Sequence, residues 1–299
     1  MKLYLLKPLV QVEGAHLLLP EDIWTVILSK LTFSISKNFI YVCKLLSKLF
    51  YKSVLFIEKT YMKNLKLTDE LKKYCNLAKL DLFNNDKVTD DVISQLINLT
   101  KINLCSNDII TDNGISKLTK ITYINLYKNK NITDCCLTKL INIKNLNLCK
   151  NRNITDNSLR SLTNLLHIDL SSNFTISDQG IKDLTNLKSL NFTSCKITDN
   201  CLTKLINLSS IRIGNNNITD NALIQLAPYN NLVSLSIQYN NISNYGIKEC
   251  LSLTRLNIKR NRIIDDDGIK NLTNLTELGK NKSISNRCIK NLKNLTTIY

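Results

Sequence analysis

At 299 residues the chain has room for one large domain or two ordinary ones, and its 43% hydrophobic content excludes disorder as the default. No stretch approaches the roughly 20 apolar residues that a membrane-spanning helix requires, so no membrane partner is expected. The net charge of +16 comes from lysines placed mostly singly beside abundant Asn and Ile, as in an AT-rich coding sequence. It is read as compositional, and nucleic acid is not expected as a partner, because nucleic-acid binders gather their charge on one face.

Residues 1–18 form an N-terminal segment. Its opening, MKLYLLKPLVQVEGAH, is apolar but interrupted by Lys7, Pro8, Gln11 and Glu13, and it has no small-residue cleavage pattern. No secretory signal is therefore read. The ten cysteines are taken as reduced thiols of an intracellular protein, cytoplasmic or nuclear.

Residues 19–60 are predicted to be helical. In LPEDIWTVILSKL, Pro20 stands where a helix begins and Glu21 and Asp22 fill its first turn. A second helix is predicted from near Ser36 to Tyr51. It carries Phe39, Ile40, Val42, Cys43, Leu46, Leu49 and Phe50. A unit of about 40 residues buries little surface alone, and this one, which holds the chain's one tryptophan at Trp24, has more large apolar side chains than its own interior accommodates. Residues 61–76 read as a rigid junction. They include LTDELKKYC, a worn copy of the helical half of a repeat that fills the rest of the chain, and Pro20 is the one Gly or Pro between residues 15 and 113.

From residue 77 the frame L-x-x-L-x-L-x-x-N recurs. Its first positions are Leu77, Leu99, Ile121, Ile143, Leu165, Leu187, Leu208, Leu232, Leu253 and Leu275, with a truncated start at Leu295. The period is 22, slipping to 21, 24 and 20; the short unit, LGKNKSIS, reads as having lost two strand residues. The alternating L-x-L predicts a short strand with two inward residues. The Asn column, Asn85 to Asn261 with Cys195 standing in once, is expected to satisfy backbone groups of a turn. Each second half, ITDxxLxxL, predicts a Thr-Asp helix N-cap. A column of mainly small residues then follows: Gly114, Cys136, Ser158, Gly180, Cys201, Ala222, Gly246, Gly268 and Cys288. Close approach of adjacent turns accounts for that column, cysteines included. The expected fold is an α/β solenoid of about ten repeats, with a parallel concave sheet and short convex helices, preceded by a small all-α domain. At about 4.8 Å per strand, ten strands make a sheet of roughly 45–50 Å.

Catalytic and metal chemistry find little support. His167, Asp169 and Ser171 alternate on one strand, about 6.6–6.8 Å apart with parallel side chains. That is too far for a nucleophile and its base. No C-x-x-C, no histidine cluster and no Gly-rich phosphate loop occurs, so no metal and no cofactor is expected. The concave strand positions are the expected contact surface. Tyr123, Tyr127 and His167 are the candidate partner residues, and Arg212, Arg255 and Lys259 favour an acidic region of the partner.

The repeat over residues 77–299 resembles the leucine-rich-repeat family, in which Cys is a known replacement for the column Asn. The preceding segment resembles the F-box. It opens with Leu19-Pro20 and an acidic residue and continues to Ile27-Leu28-Ser29 and Leu31. Val42-Cys43-Lys44 follows, eleven residues after that last leucine. One position departs: the family often has Trp where Leu46 stands. The resemblance implies that Leu19, Pro20, Ile23, Ile27, Leu28, Leu31, Val42, Cys43 and Leu46 contact a Skp1-type adaptor and, through it, a cullin. The repeats would hold a target protein for ubiquitin transfer, and the chain itself would catalyse nothing. The alternative is a repeat-based interaction module with a helical cap and no ligase role.

Overall fold

The computed structural model describes residues 73–299, together with Leu71 and Val26. Val26 is helical and exposed; the rest of the predicted helical domain, including all nine expected adaptor contacts, lies outside the described residues. So do residues 61–70 of the junction. Its far end enters the solenoid: Leu71 and Tyr74 are buried in the same apolar cluster as the first repeats.

Eleven short parallel strands form one sheet in chain order. They are β1 (Lys79–Asp81), β2 (Lys101–Asn103), β3 (Tyr123–Asn125), β4 (Asn145–Asn147), β5 (His167–Asp169) and β6 (Ser189–Asn191). Then come β7 (Ser210–Gly214), β8 (Ser234–Gln238), β9 (Arg255–Asn257), β10 (Glu277–Gly279) and β11 (Thr297–Ile298). The truncated start at Leu295 thus contributes a further strand. Parallel neighbours need a return path, and most are a turn followed by a single helical turn such as Asp112–Ile115, with a 3₁₀ helix, Asp199–Lys204, in one and a longer helix, Asn286–Asn291, in the last. The 24-residue unit spends its extra length on a longer helix, Asp220–Leu226, and a 3₁₀ turn, Ala227–Tyr229.

The core is one continuous stack. Leu80 and Leu82, Ile102 and Leu104, and Ile124 and Leu126 point inward from successive strands and are essentially inaccessible. Equivalent residues pair in register, Leu80 beside Ile102 and Ile102 beside Ile124, so each layer repeats the one before it. One repeat cannot enclose such a layer alone; each gains its burial from its neighbours.

Three polar ladders hold the turns. In the first, Asn151 Nδ2 donates to the carbonyls of Leu126 (3.2 Å) and Asn129 (2.9 Å), while its Oδ1 accepts from the amides of Asn153 and Ile154. Asn107, Asn129 and Asn173 repeat this arrangement. At the Cys195 position the thiol donates to the Leu170 carbonyl, and Asn216 shifts to accept from the Cys195 amide. Asn216 is accordingly half-buried where Asn151 and Asn173 are sealed. Asn281 continues the column beyond Asn261. Because β10 keeps its three residues, the shortening of that unit falls in the turn and not, as the sequence pattern implied, in the strand.

The second ladder corrects the Thr-Asp reading. The threonine is the cap, as when Thr155 Oγ1 accepts from the Asn157 amide. The aspartate instead reaches across to the next repeat: Asp90 accepts from the Thr111 amide at 2.9 Å, and Asp112, Asp134, Asp156 and Asp178 do the same one turn further on. This is what the small column makes room for. A Cβ on Gly180 would stand 2.4 Å from Asp156 Oδ1. Ser158, at the equivalent place, turns its hydroxyl into a donor to Asp134 Oδ1 at 2.6 Å. The third ladder explains the Asn that recurs just before the first Leu or Ile of a unit: Asn98, Asn142, Asn164 and Asn186 each donate to a carbonyl of the preceding repeat, 2.9–3.0 Å away.

Candidate partner-binding face

The outward strand positions form rows fixed by the register. Lys79, Lys101, Tyr123, Asn145, His167, Ser189, Ser210, Ser234, Arg255 and Glu277 make one row across β1–β10. Asp81, Asn103, Asn125, Asn147, Asp169, Asn191 and Arg212 lie in a second. A third runs just past the strand ends and includes Tyr127 and Lys259.

The six expected partner residues therefore form two groups. Tyr123 and His167 share the first row with Asn145 between them, about 10 Å apart at two strand spacings. Tyr127 stands at the far end of β3, where the Lys128 and Lys150 ammonium groups lie 5.3 and 5.9 Å from its ring centre. Arg212 and Arg255, in different rows, line a cavity of about 720 Å³ on the sheet face with Gln238, Tyr239 and Glu277. Lys259 caps the Tyr299 ring at 4.5 Å. Glu277 was missed in the sequence because the shortened unit hides its frame. Its register places it directly beside Arg255, so the far end of this face is less uniformly basic than expected.

The geometry leaves the alternating His-Asp-Ser without catalytic use. Asp169 Oδ1 accepts from the Ser171 amide at 2.8 Å and its Oδ2 from Asn191 Nδ2 at 3.2 Å, so it orients neighbouring backbone and side chain, not the histidine. Nor do Cys136, Cys149 and Cys195 favour the nucleophilic thiolate. Burial pushes Cys149 upward and Cys195 up to about 11, with the Asp169 carboxylate adding to both. Cys136 is raised to about 12, again mainly by burial. All remain protonated at neutral pH. Among the described residues no cluster of His, Cys, Asp and Glu is disposed to hold a metal ion, and no helix is long and apolar enough to cross a membrane.

Stacked L-x-L strands, an inward Asn at each turn but that of Cys195, and a capped return helix together define one repeat type. The chain carries leucine-rich repeats. The family described as Leucine Rich repeat matches residues 95–119, 161–184, 183–205 and 249–273. No curated protein matches the chain in sequence. Among solved structures, an internalin (inlF) from Listeria monocytogenes is 25% identical with a TM-score of 0.63, covering 93% of this chain and 87% of its own. Internalin C2 (inlC2) of the same organism is 29% identical with a TM-score of 0.52, over 64% of this chain and 84% of its own. The TLR13–ssRNA13 complex shares the fold at 22% identity and a TM-score of 0.58, over 77% of this chain and 37% of that one. Leucine-rich repeats of this kind form a protein-interaction module, and no catalytic family emerges from these comparisons.

Proposed function

We propose that the chain is the substrate-recognition subunit of a cullin–RING ubiquitin ligase. In this reading residues 19–60 bind a Skp1-type adaptor and the solenoid's sheet face holds the target. The observation that carries it is the run LPEDIWTVILSKL followed at the F-box spacing by Val42-Cys43-Lys44, directly upstream of a leucine-rich-repeat stack. The burial of Leu71 and Tyr74 within that stack supports a junction that transmits position, which a ligase scaffold needs in order to hold a lysine near a charged conjugating enzyme. The chain then contributes proximity and no covalent step. The free state of every described cysteine supports an intracellular setting, cytoplasmic or nuclear.

The test is binding of the purified full-length chain to a recombinant Skp1-type adaptor. A stoichiometric complex is expected, abolished by Ile27→Asp with Leu28→Asp, while the repeat region keeps its circular dichroism. Failure of the wild-type chain to bind leaves the second reading, a solenoid interaction module with no ligase role, which the outward tyrosine, histidine and arginine positions of the sheet face support by themselves.

A further inference from the structure

The turn after each strand gathers charge that the linear sequence disperses. In successive repeats from Asn84 to Arg260, the residue before the column Asn or Cys is left-handed, with φ from 49° at Ser106 to 64° at Arg260. These residues and those just past the column line one edge of the solenoid. In the first two repeats the edge carries Asp86 and Asp108. From Lys128 onward it carries no Asp or Glu, and at β9–β10 it reaches its highest cation density. There Lys259, Arg260, Arg262, Lys280 and Lys282 line a cleft of about 970 Å³ with Tyr239 and Tyr299. None of the five forms an ion pair among the described residues. Two are held in place by aromatic rings: Arg260 stacks on Tyr239 at 5.2 Å and bonds its hydroxyl, and Lys259 sits over Tyr299. A partly pre-ordered cationic cleft with no ion pair among the described residues is disposed to receive anions.

We propose that this edge cleft anchors an acidic segment of a protein partner, with the carboxylates of Asp and Glu side chains received by Arg260, Arg262, Lys280 and Lys282. The inference deepens the reading of the solenoid as the partner-binding part of the chain and rests on it. Two observations favour a protein segment over a single-stranded nucleic acid. One face of each of the Tyr239 and Tyr299 rings is already engaged by a cation, which leaves at most the other face of each for base stacking. The cationic edge is also broken: between Arg152 and Lys259 it holds Ser172, Ser194, Asn215 and Asn241 and a single cation, Lys196, which does not match an evenly charged phosphate backbone.

Fluorescence anisotropy on the full chain tests this, with a labelled peptide of alternating Glu and Ser and an oligothymidylate of equal charge as probes. The cleft variant combines Arg262→Ser, Lys280→Ser and Lys282→Ser; the charge-matched control combines Lys117→Ser, Lys139→Ser and Lys293→Ser, all exposed and away from the cleft. The cleft variant should bind the peptide at least about tenfold more weakly, the loss of one charge-assisted contact, while the control changes by less than about threefold. Equal weakening in both variants, no peptide binding by the wild type, or tighter binding of the oligothymidylate than of the peptide would overturn the proposal. Adaptor binding, read separately at Ile27 and Leu28, is untouched by any of these results, so the two ideas fail independently.

Discussion

Replacing Asn151 with Ala tests what holds the turns. The side chain is inaccessible and makes four hydrogen bonds: two donated, to the Leu126 and Asn129 carbonyls, and two accepted, from the Asn153 and Ile154 amides. Their loss is not uniform. The Leu126 carbonyl keeps the Asn129 amide as a partner, and the half-buried Asn153 amide lies nearer to water. The Asn129 carbonyl and the buried Ile154 amide are left without a substitute. Each stranded buried group costs about 1–3 kcal/mol, so with two of them the variant should lose roughly 2–6 kcal/mol. Asn157, exposed on a helix start, is the control, and its replacement by Ala should cost under about 0.5 kcal/mol. Urea unfolding followed by circular dichroism measures both. A loss below about 1 kcal/mol at Asn151, or one matched at Asn157, would refute the ladder argument. A broadened transition would show instead that cooperativity had split between the two halves of the stack.

The inter-repeat aspartates and the column beside them make a second set of predictions. Asp156→Ala removes the acceptor for the Ser177 amide and hydroxyl and should cost about 1.5–3 kcal/mol by the same assay. Gly180→Ser should be tolerated better than Gly180→Val: either Cβ meets Asp156 Oδ1 at 2.4 Å unless the carboxylate shifts, but a hydroxyl can then donate to it as Ser158 does to Asp134, whereas a branched apolar group offers it no bond; thermal unfolding distinguishes them. Asp266, held below the ordinary carboxylate range by the Ser285 hydroxyl and amide, adds stability that is complete above its unfolded-state value and lost as pH falls through the lowered folded one; carboxylate NMR titration should place its midpoint below that of a free Asp. Among the thiols, exposed Cys75 and Cys135 should alkylate readily in the folded chain and Cys136, Cys201 and Cys250 only on unfolding, as mass spectrometry of iodoacetamide-treated protein would record.

Much of the architecture is legible in the sequence because each repeat restates it. Leu80 and Leu82 could be placed inward, the column Asn assigned to the turns, and the small column at Gly114 and Gly180 assigned to a close approach, all from period and spacing. What was illegible is what depends on the neighbouring repeat. The aspartate of Thr155-Asp156 looks like a local cap; only the stacked geometry shows it bonding to Ser177 in the next repeat. Glu277 and Asn281 were hidden because the shortened unit displaced the frame. The lysines and arginines looked scattered because residues about 22 apart in the chain are neighbours along an edge, and a linear scan for basic runs does not see that periodicity. On the sheet face, the six expected contact residues separate into two groups, since register and not proximity in sequence decides which side chains meet.

The central claim is that the two parts of the chain hold two different proteins, and affinity capture of three full-length forms measures it directly. The wild type should retain a Skp1-type adaptor, a cullin and a target. Ile27→Asp with Leu28→Asp should lose the adaptor and cullin and keep the target, and Tyr123→Ala with His167→Ala and Arg255→Ala should do the reverse. Retention of the same proteins by all three forms, or loss of everything in both variants while each stays folded, would contradict it.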